Sequence, residues 1–210
     1  MTLRERLLAH TVVYRTLKQL LLPGASERRI VQRMFAVDDG DRVLDLGCGY
    51  GDYARHFAGR CRYLGIDHNP DYIATARRMN AGLDAEFVCA DVTDPVVASA
   101  GPYDLVILGG VLHHLDDATV GRLADTVASL LTPSGRLAAL EPVFHPDQPL
   151  SARLLIAADR GRHVRDASGY ARLLAPRLPH LRTEVHGDLL RLPYTHLLLE
   201  GRVSGSPQPI

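Results

Sequence analysis

Lysine is almost missing from this chain: of 24 basic residues only Lys18 is a lysine, a bias that follows genome composition and is given no functional weight. Cysteine is scarce as well. Cys48, Cys61 and Cys89 are odd in number and show no Cys-x-x-Cys or Cys/His ligand spacing, which argues against a disulfide framework and against a zinc site. No apolar run approaches the roughly 18 residues that a membrane span needs. The first residues, MTLRERLLAHTVVYRTLKQLLLP, carry charge on both sides of short apolar stretches and no small-residue cleavage site, so a secretory signal is not expected and the cytoplasm is the expected location. There is no net charge and no internal repeat.

What is present is the composition of a folded domain, with 46% hydrophobic and 23% charged residues in 210. That length suits one domain with a sizeable core. Charge is unevenly placed: residues 43 to 142 hold 7 arginines against 13 acidic residues, while each flank is net positive. An acidic centre is not built for a polyanion, so no nucleic-acid partner is expected.

Leu3, Leu7, Tyr14, Leu17 and Leu21 recur at helical spacing before Pro23-Gly24, predicting an amphipathic helix over 3–22, with a second over 26–35. Five short, nearly continuous apolar runs follow, over 42–46, 63–67, 86–90, 103–108 and 136–140, the pattern of strands covered on both faces. Helical segments are predicted between them at about 52–58, 70–80, 95–99 and 117–131, the last closed by a turn at Pro133-Ser134-Gly135. Further helices are expected at about 150–159 and 168–175, and two more strands at 182–186 and 194–200. This alternation predicts an α/β fold: a mostly parallel, doubly wound sheet with helices on both faces.

In such a sheet ligands bind where strands end, and the strand ends here are polar. The first strand runs into Asp45-Leu46-Gly47-Cys48-Gly49-Tyr50-Gly51-Asp52, a glycine-rich turn opening a helix. The second ends in Asp67, 20 residues after Gly47, where an acid can accept hydrogen bonds from both ribose hydroxyls of a nucleoside. The third ends in Asp91, suitably placed for an adenine amine, and the fourth in Gly109-Gly110. A dinucleotide fingerprint has glycines at positions 1, 3 and 6, whereas these fall at 1, 3 and 5. Asp45, two residues before the first glycine, repels a pyrophosphate and suits an ammonium and a sulfonium.

These residues resemble the class I S-adenosylmethionine-dependent methyltransferases of small-molecule type. VLDLGCGYG (43–51), YLGIDHNPDYIATAR (63–77), FVCADVTD (87–94), YDLVILGGVLHHLDD (103–117) and TPSGRLAALEP (132–142) are similar to the family's five motifs in order, covering about residues 39–142. The resemblance implies a Rossmann-like seven-stranded sheet of order 3-2-1-4-5-7-6 with the seventh strand antiparallel. It implies S-adenosyl-L-methionine as cofactor, with Asp45, Gly47, Cys48 and Gly49 at its methionyl part, Asp67 with His68 beside it at the ribose, Asp91 and Val92 at the adenine, and Gly109 next to it. One domain over 1–204 is expected, divided into an N-terminal helical lid (1–38), a cofactor-binding core (39–142) and substrate-side helices with the last two strands (143–204), followed by a flexible tail (205–210).

The reaction so implied is transfer of a methyl group to an oxygen or nitrogen of a small-molecule acceptor by in-line displacement. His113 and His114 are the candidates for the base that takes the acceptor's proton, with His113 preferred. Gly110 and His113 stand where metal-dependent relatives carry acids, so no metal is expected. Tyr14, Glu141, His145, Arg162 and Tyr194 are candidates for the substrate side, Arg162 within a cluster of Arg160, Arg162, His163 and Arg165 able to meet a carboxylate or phosphate. For Glu141 a buried, loop-ordering role is equally compatible with the sequence. No base-modifying DPPY-like run follows the fourth strand, which disfavours nucleic-acid bases. The alternatives are a non-methylating adenosylmethionine enzyme such as a cyclase or pericyclase-like enzyme, a methyltransferase acting on RNA or protein, and a nicotinamide-dependent oxidoreductase. No membrane partner is expected, and the oligomeric state is either monomer or homodimer.

Overall fold

The computed structural model describes residues 28, 30–32, 34–57, 59–98, 101–159 and 161–203. The helix expected over 3–22, Tyr14 within it, and the tail after 204 lie outside the described residues. Of the second expected helix, residues 28, 30–32 and 34 are helical.

Eight strands follow: β1 (Arg42–Leu46), β2 (Arg62–Asp67), β3 (Ala85–Cys89), β4 (Tyr103–Gly109), β5 (Leu131–Phe144), β6 (Arg165–Asp166), β7 (His180–His186) and β8 (His196–Arg202). The helices between them are α1 (Ala54–Phe57), α2 (Pro70–Met79), α3 (Pro95–Ala98), α4 (Asp117–Leu130), α5 (Leu150–Ala157) and α6 (Ala167–Leu174). The sheet runs β3-β2-β1-β4-β5-β8-β7. Neighbours from β3 to β5 are parallel, and β8 is antiparallel to both β5 and β7. Apart from the two-residue β6, which pairs with Val143 and Phe144 of β5, this is the order that the family resemblance implied.

The continuous apolar runs have a direct cause: alternate side chains enter two different cores. Leu44, Leu46, Val106, Leu108, Leu137 and Ala139 pack on one face with Val120, Leu123 and Val127 of α4 and Tyr170 of α6. Val43, Leu105, Ile107, Ala138 and Leu140 pack on the other with Phe35, Phe57, Ile73 and Ala76. Helix starts are set by side-chain caps: Asn69 accepts from the Asp71 and Tyr72 N–H groups, Asp116 from Thr119, and Asp166 from Gly169.

One expectation is corrected. Pro133-Ser134-Gly135 does not end a connection before β5; it lies inside that strand, where pairing jumps from Tyr103–Leu131 to Leu105–Arg136. The extra residues are taken up as a bulge, which leaves Arg136 to hold the preceding segment by donating to the Met34 and Ala36 carbonyls.

Candidate active site

The turn after β1 lies at the carboxyl end of the sheet, and the N–H groups of its Gly47, Cys48, Gly49 and Gly51 are satisfied within the protein. The N–H groups of Gly47 and Cys48 both donate to the Ile66 carbonyl, at 2.7 and 3.0 Å, and Gly49 N–H donates to Asp67 Oδ2 at 3.0 Å. Gly51 N–H donates to Cys48 O. Gly47 has φ +77° and a Cβ there would stand 2.5 Å from Val111 Cγ2, so only glycine lets the turn meet the end of β4. A turn whose N–H groups are directed inward is no cradle for a pyrophosphate.

Two buried carboxylates stand beside it. Asp45 is 1% exposed and accepts the Tyr63 hydroxyl, whose phenol is pushed up by burial and then by Asp45. Asp67 is 6% exposed and accepts Gly49 N–H on one oxygen and Asn69 N–H on the other, so each oxygen keeps a lone pair for a hydroxyl. The adjoining cavity, about 250 Å3, is lined by Asp45, Gly47, Cys48, Gly49 and Gly109, joined by Tyr50, Asp52, Tyr53 and Tyr72. The last four were missed in the sequence. Their signal was position, since all follow directly on strands β1 and β2.

His68 is exposed, with Nδ1 3.6 Å from Asp67. Asp91 is exposed as well, its Oδ1 accepting the Thr93 N–H and hydroxyl, and these bonds hold its carboxyl below the usual range. Val92 beside it is half-buried. Both follow β3, whose Cys89 is paired with Asp67. The Cys48 thiol is pushed up by burial, then by Asp45 and Asp67, and is no nucleophile.

Past β4 the chain makes a short turn, Leu112–His114, ordered by Glu141 from the adjacent strand. Glu141 is 0% exposed. Its Oε1 accepts the Val111 and Leu112 N–H groups at 2.9 Å, and its Oε2 accepts His113 Nδ1–H at 2.7 Å. Glu141 therefore orders the turn and does not line an open substrate surface.

His113 is covered too, being 5% exposed. Its Nε2 lies 3.4 Å from Asp159 Oδ1. Asp159 in turn accepts the Gly161 N–H and the Tyr194 hydroxyl, each at 2.8 Å. Burial raises the Asp159 carboxyl, but those two bonds together with His113 and His114 outweigh it and hold the group below its usual range. Gly161 lies against the imidazole: a Cβ there would collide with His113 Cδ2. Further along, His163 N–H donates to His113 O at 3.0 Å. Asp159 and residues 161–165 thus form a strap over the histidine. Arg165 fastens it by donating to the Leu112, Leu115 and His163 carbonyls and to Asp117.

His113, preferred from sequence as the base, is hence enclosed, and Arg165 is taken out of the basic cluster expected to meet an anion. His114 is the exposed member of the pair, its ring centroid 4.0 Å from that of His113. Partial desolvation, then His113, hold its imidazole below the ordinary value, and it lies within electrostatic reach of both His68 and Asp159. Arg162 is exposed. His145 is half-buried in a local turn, where its N–H donates to Gln148 and its Nδ1 accepts from Asp147. Tyr194 precedes β8, with its ring 5.0 Å from His196. Among the described residues no three His, Cys, Asp or Glu are grouped to hold a metal ion, and no described helix is long and apolar enough to cross a membrane.

The cavity and its two buried carboxylates thus lie at the carboxyl ends of the parallel strands. Residues 43–135 match a family described as "Methyltransferase domain", and the resemblance to class I S-adenosylmethionine-dependent methyltransferases is borne out. Over 124 residues the chain is 29% identical to a probable cobalt-precorrin-6B C(15)-methyltransferase (decarboxylating) from Methanobrevibacter smithii, a match covering 55% of this chain and 63% of that protein. It is 33% identical to a ubiquinone biosynthesis O-methyltransferase from Xanthomonas axonopodis, covering 47% and 41%. The chain thus spans less than two thirds of the length of these relatives. Among solved structures, the N-methyltransferase NodS from Bradyrhizobium japonicum in complex with S-adenosyl-L-homocysteine aligns with TM-score 0.66 at 20% identity, covering 86% of this chain and 87% of that one. A TehB-like SAM-dependent methyltransferase from Corynebacterium glutamicum aligns with TM-score 0.67 at 18% identity, covering 96% and 100%. At these identities the two structures share the fold.

Proposed function

We propose that this protein transfers the methyl group of S-adenosyl-L-methionine to an oxygen or nitrogen of a small-molecule acceptor, by in-line displacement. The observation that carries the reading is the chemistry around the first turn. Its N–H groups are used on Ile66 and Asp67, and buried acids, Asp45 and Asp67, stand where a pyrophosphate would bring its charge. That donor set fits a nucleoside with a cationic amino-acid tail and rejects a dinucleotide. Bound S-adenosyl-L-methionine supplies a methyl on a sulfonium, a good leaving group.

The protein's part is then alignment, exclusion of water and removal of one proton. Asp67 receives the ribose hydroxyls, Asp91 and Val92 flank the adenine, and Gly109 leaves room beside the reacting centre. His114 takes the proton from the acceptor, because its exposed ring is held in the neutral form at pH 7. His113 positions it: fixed between Glu141 and Asp159 and covered by Gly161, it sets the turn that presents His114. Tyr194, Arg162 and His145 border the acceptor side. The three free thiols suit a reducing cytoplasm.

The test is incubation with methyl-labelled S-adenosyl-L-methionine and a panel of hydroxyl and amine acceptors, with His114→Ala alongside. Label in an acceptor, with stoichiometric S-adenosyl-L-homocysteine and a rate at least tenfold lower in His114→Ala, supports the reading. Turnover of the cofactor into a cyclised or rearranged product, without labelled acceptor, contradicts it.

A further inference from the structure

Strand β7 closes one side of the sheet. Among the described residues it pairs with β8 and with no other strand, so alternate N–H and C=O groups along its seven residues face outward. The devices that keep such an edge from pairing are missing from it. His180–His186 holds no proline and no lysine, its register with β8 runs unbroken from His180 opposite Arg202 to His186 opposite His196, and Arg182 is offset by Glu184. Residues 182–185 are all exposed, Val185 at 39%.

The side chains along this edge are also symmetric about its centre. An antiparallel second copy centred on Thr183 sets Arg182 opposite Glu184, Glu184 opposite Arg182, Leu181 opposite Val185 and His180 opposite His186. Alternation sorts these pairs by face. Leu181, Thr183 and Val185 share the face on which Leu197 and Leu199 of β8 pack with Tyr170 and Leu174 of α6, whereas Arg182 and Glu184 lie on the other. One two-fold axis thus yields two opposite-charge pairs and two apolar pairs. The other edge strand, β3, has no such order: centred on Phe87, it would set Glu86 against Val88.

We propose that β7 is a homodimer interface, at which two copies of this chain continue their sheets edge to edge, antiparallel about Thr183. Backbone hydrogen bonds along the two edges supply the attachment. The Arg182–Glu184 pairs select the register, because centring the contact on either neighbouring residue would set arginine against arginine or glutamate against glutamate. The inference stands independently of the proposed function.

The experiment is sedimentation velocity on the full chain over a range of concentrations, native and with Arg182→Glu, Glu184→Arg and the two combined. The native chain is expected to form a concentration-dependent dimer. Either single change sets like charges opposite each other twice and weakens dimerisation about tenfold or more, since two cross-strand pairs turn from attraction to repulsion. The combined change, and an equimolar mixture of the two single variants, restore the dimer, which a loss of folding does not imitate. A native chain that stays monomeric at every concentration overturns the inference. So does a dimer that neither single change weakens, which places the contact elsewhere, and so does a weakening that the combined change and the mixture leave unrepaired.

Discussion

Glu141 accepts a hydrogen bond from His113 Nδ1 at 2.7 Å across two neighbouring strand ends, while its other oxygen takes the Val111 and Leu112 N–H groups at 2.9 Å. One buried carboxylate thus holds the turn between the cavity beside β1 and the strap. Glu141→Ala leaves these donors buried without an acceptor, and we expect a loss of about 3–5 kcal/mol of unfolding free energy. Glu141→Gln keeps one acceptor but sets an amide against His113, costing about 1–3 kcal/mol. Urea unfolding checks both, and a Glu141→Ala variant within about 1 kcal/mol of native would remove the carboxylate from this role.

Gly161 lies against the imidazole with no room for a side chain. Gly161→Ala should lift the strap, lower stability by about 1–3 kcal/mol and make His113 reactive towards diethylpyrocarbonate, from which its burial is expected to protect it in the native protein. Peptide mapping of the modified histidines reads this directly. Equal modification of His113 in both proteins would mean that the strap does not enclose it.

Asp67 receives two backbone N–H groups and retains acceptor positions on both oxygens. Asp67→Ala is expected to weaken S-adenosyl-L-methionine binding at least tenfold, from loss of charge-assisted hydrogen bonds worth about 1.5–3 kcal/mol. An unchanged dissociation constant would displace the ribose from this residue.

His196 on β8 is half-buried, its Nδ1 enclosed without a hydrogen-bond partner among the described residues, and desolvation, then His186, lower its imidazole from 6.5 to about 4. The unfolded chain binds a proton on this group below pH 6.5, and the folded chain resists doing so until about pH 4. Stability is therefore constant above pH 6.5 as far as this group is concerned and falls as the pH drops through that window, by about 3 kcal/mol in full. Urea midpoints measured from pH 7 to pH 4 should show the fall, and His196→Leu should flatten it. A curve unchanged by that substitution would assign the acid limb to other groups.

The sheet and the first turn were legible in the sequence because they are local. Buried parallel strands read as unbroken apolar runs, and Asp45, Gly47, Gly49 and Asp67 sit at fixed offsets from strand ends. The strap was not legible. Gly161 and Asp159 meet His113 across more than 45 residues of chain, and nothing in Asp159-Arg160-Gly161 announces a partner. The same distance hid the fate of Arg165, which reads as a free cation in a basic cluster and is instead tied to Asp117 and three carbonyls. Burial also separated two adjacent histidines that sequence position treats alike: the turn at Leu112–His114 points His113 inward and leaves His114 exposed.

The central claim is that the turn after β1, with Asp45 and Asp67, accepts a cationic nucleoside and rejects a dinucleotide. Parallel calorimetric titrations with S-adenosyl-L-methionine, S-adenosyl-L-homocysteine and a nicotinamide dinucleotide, on protein checked for copurified ligand, test it most directly. Binding of the first two and no heat from the third is the predicted result. Binding of the dinucleotide alone would contradict the account.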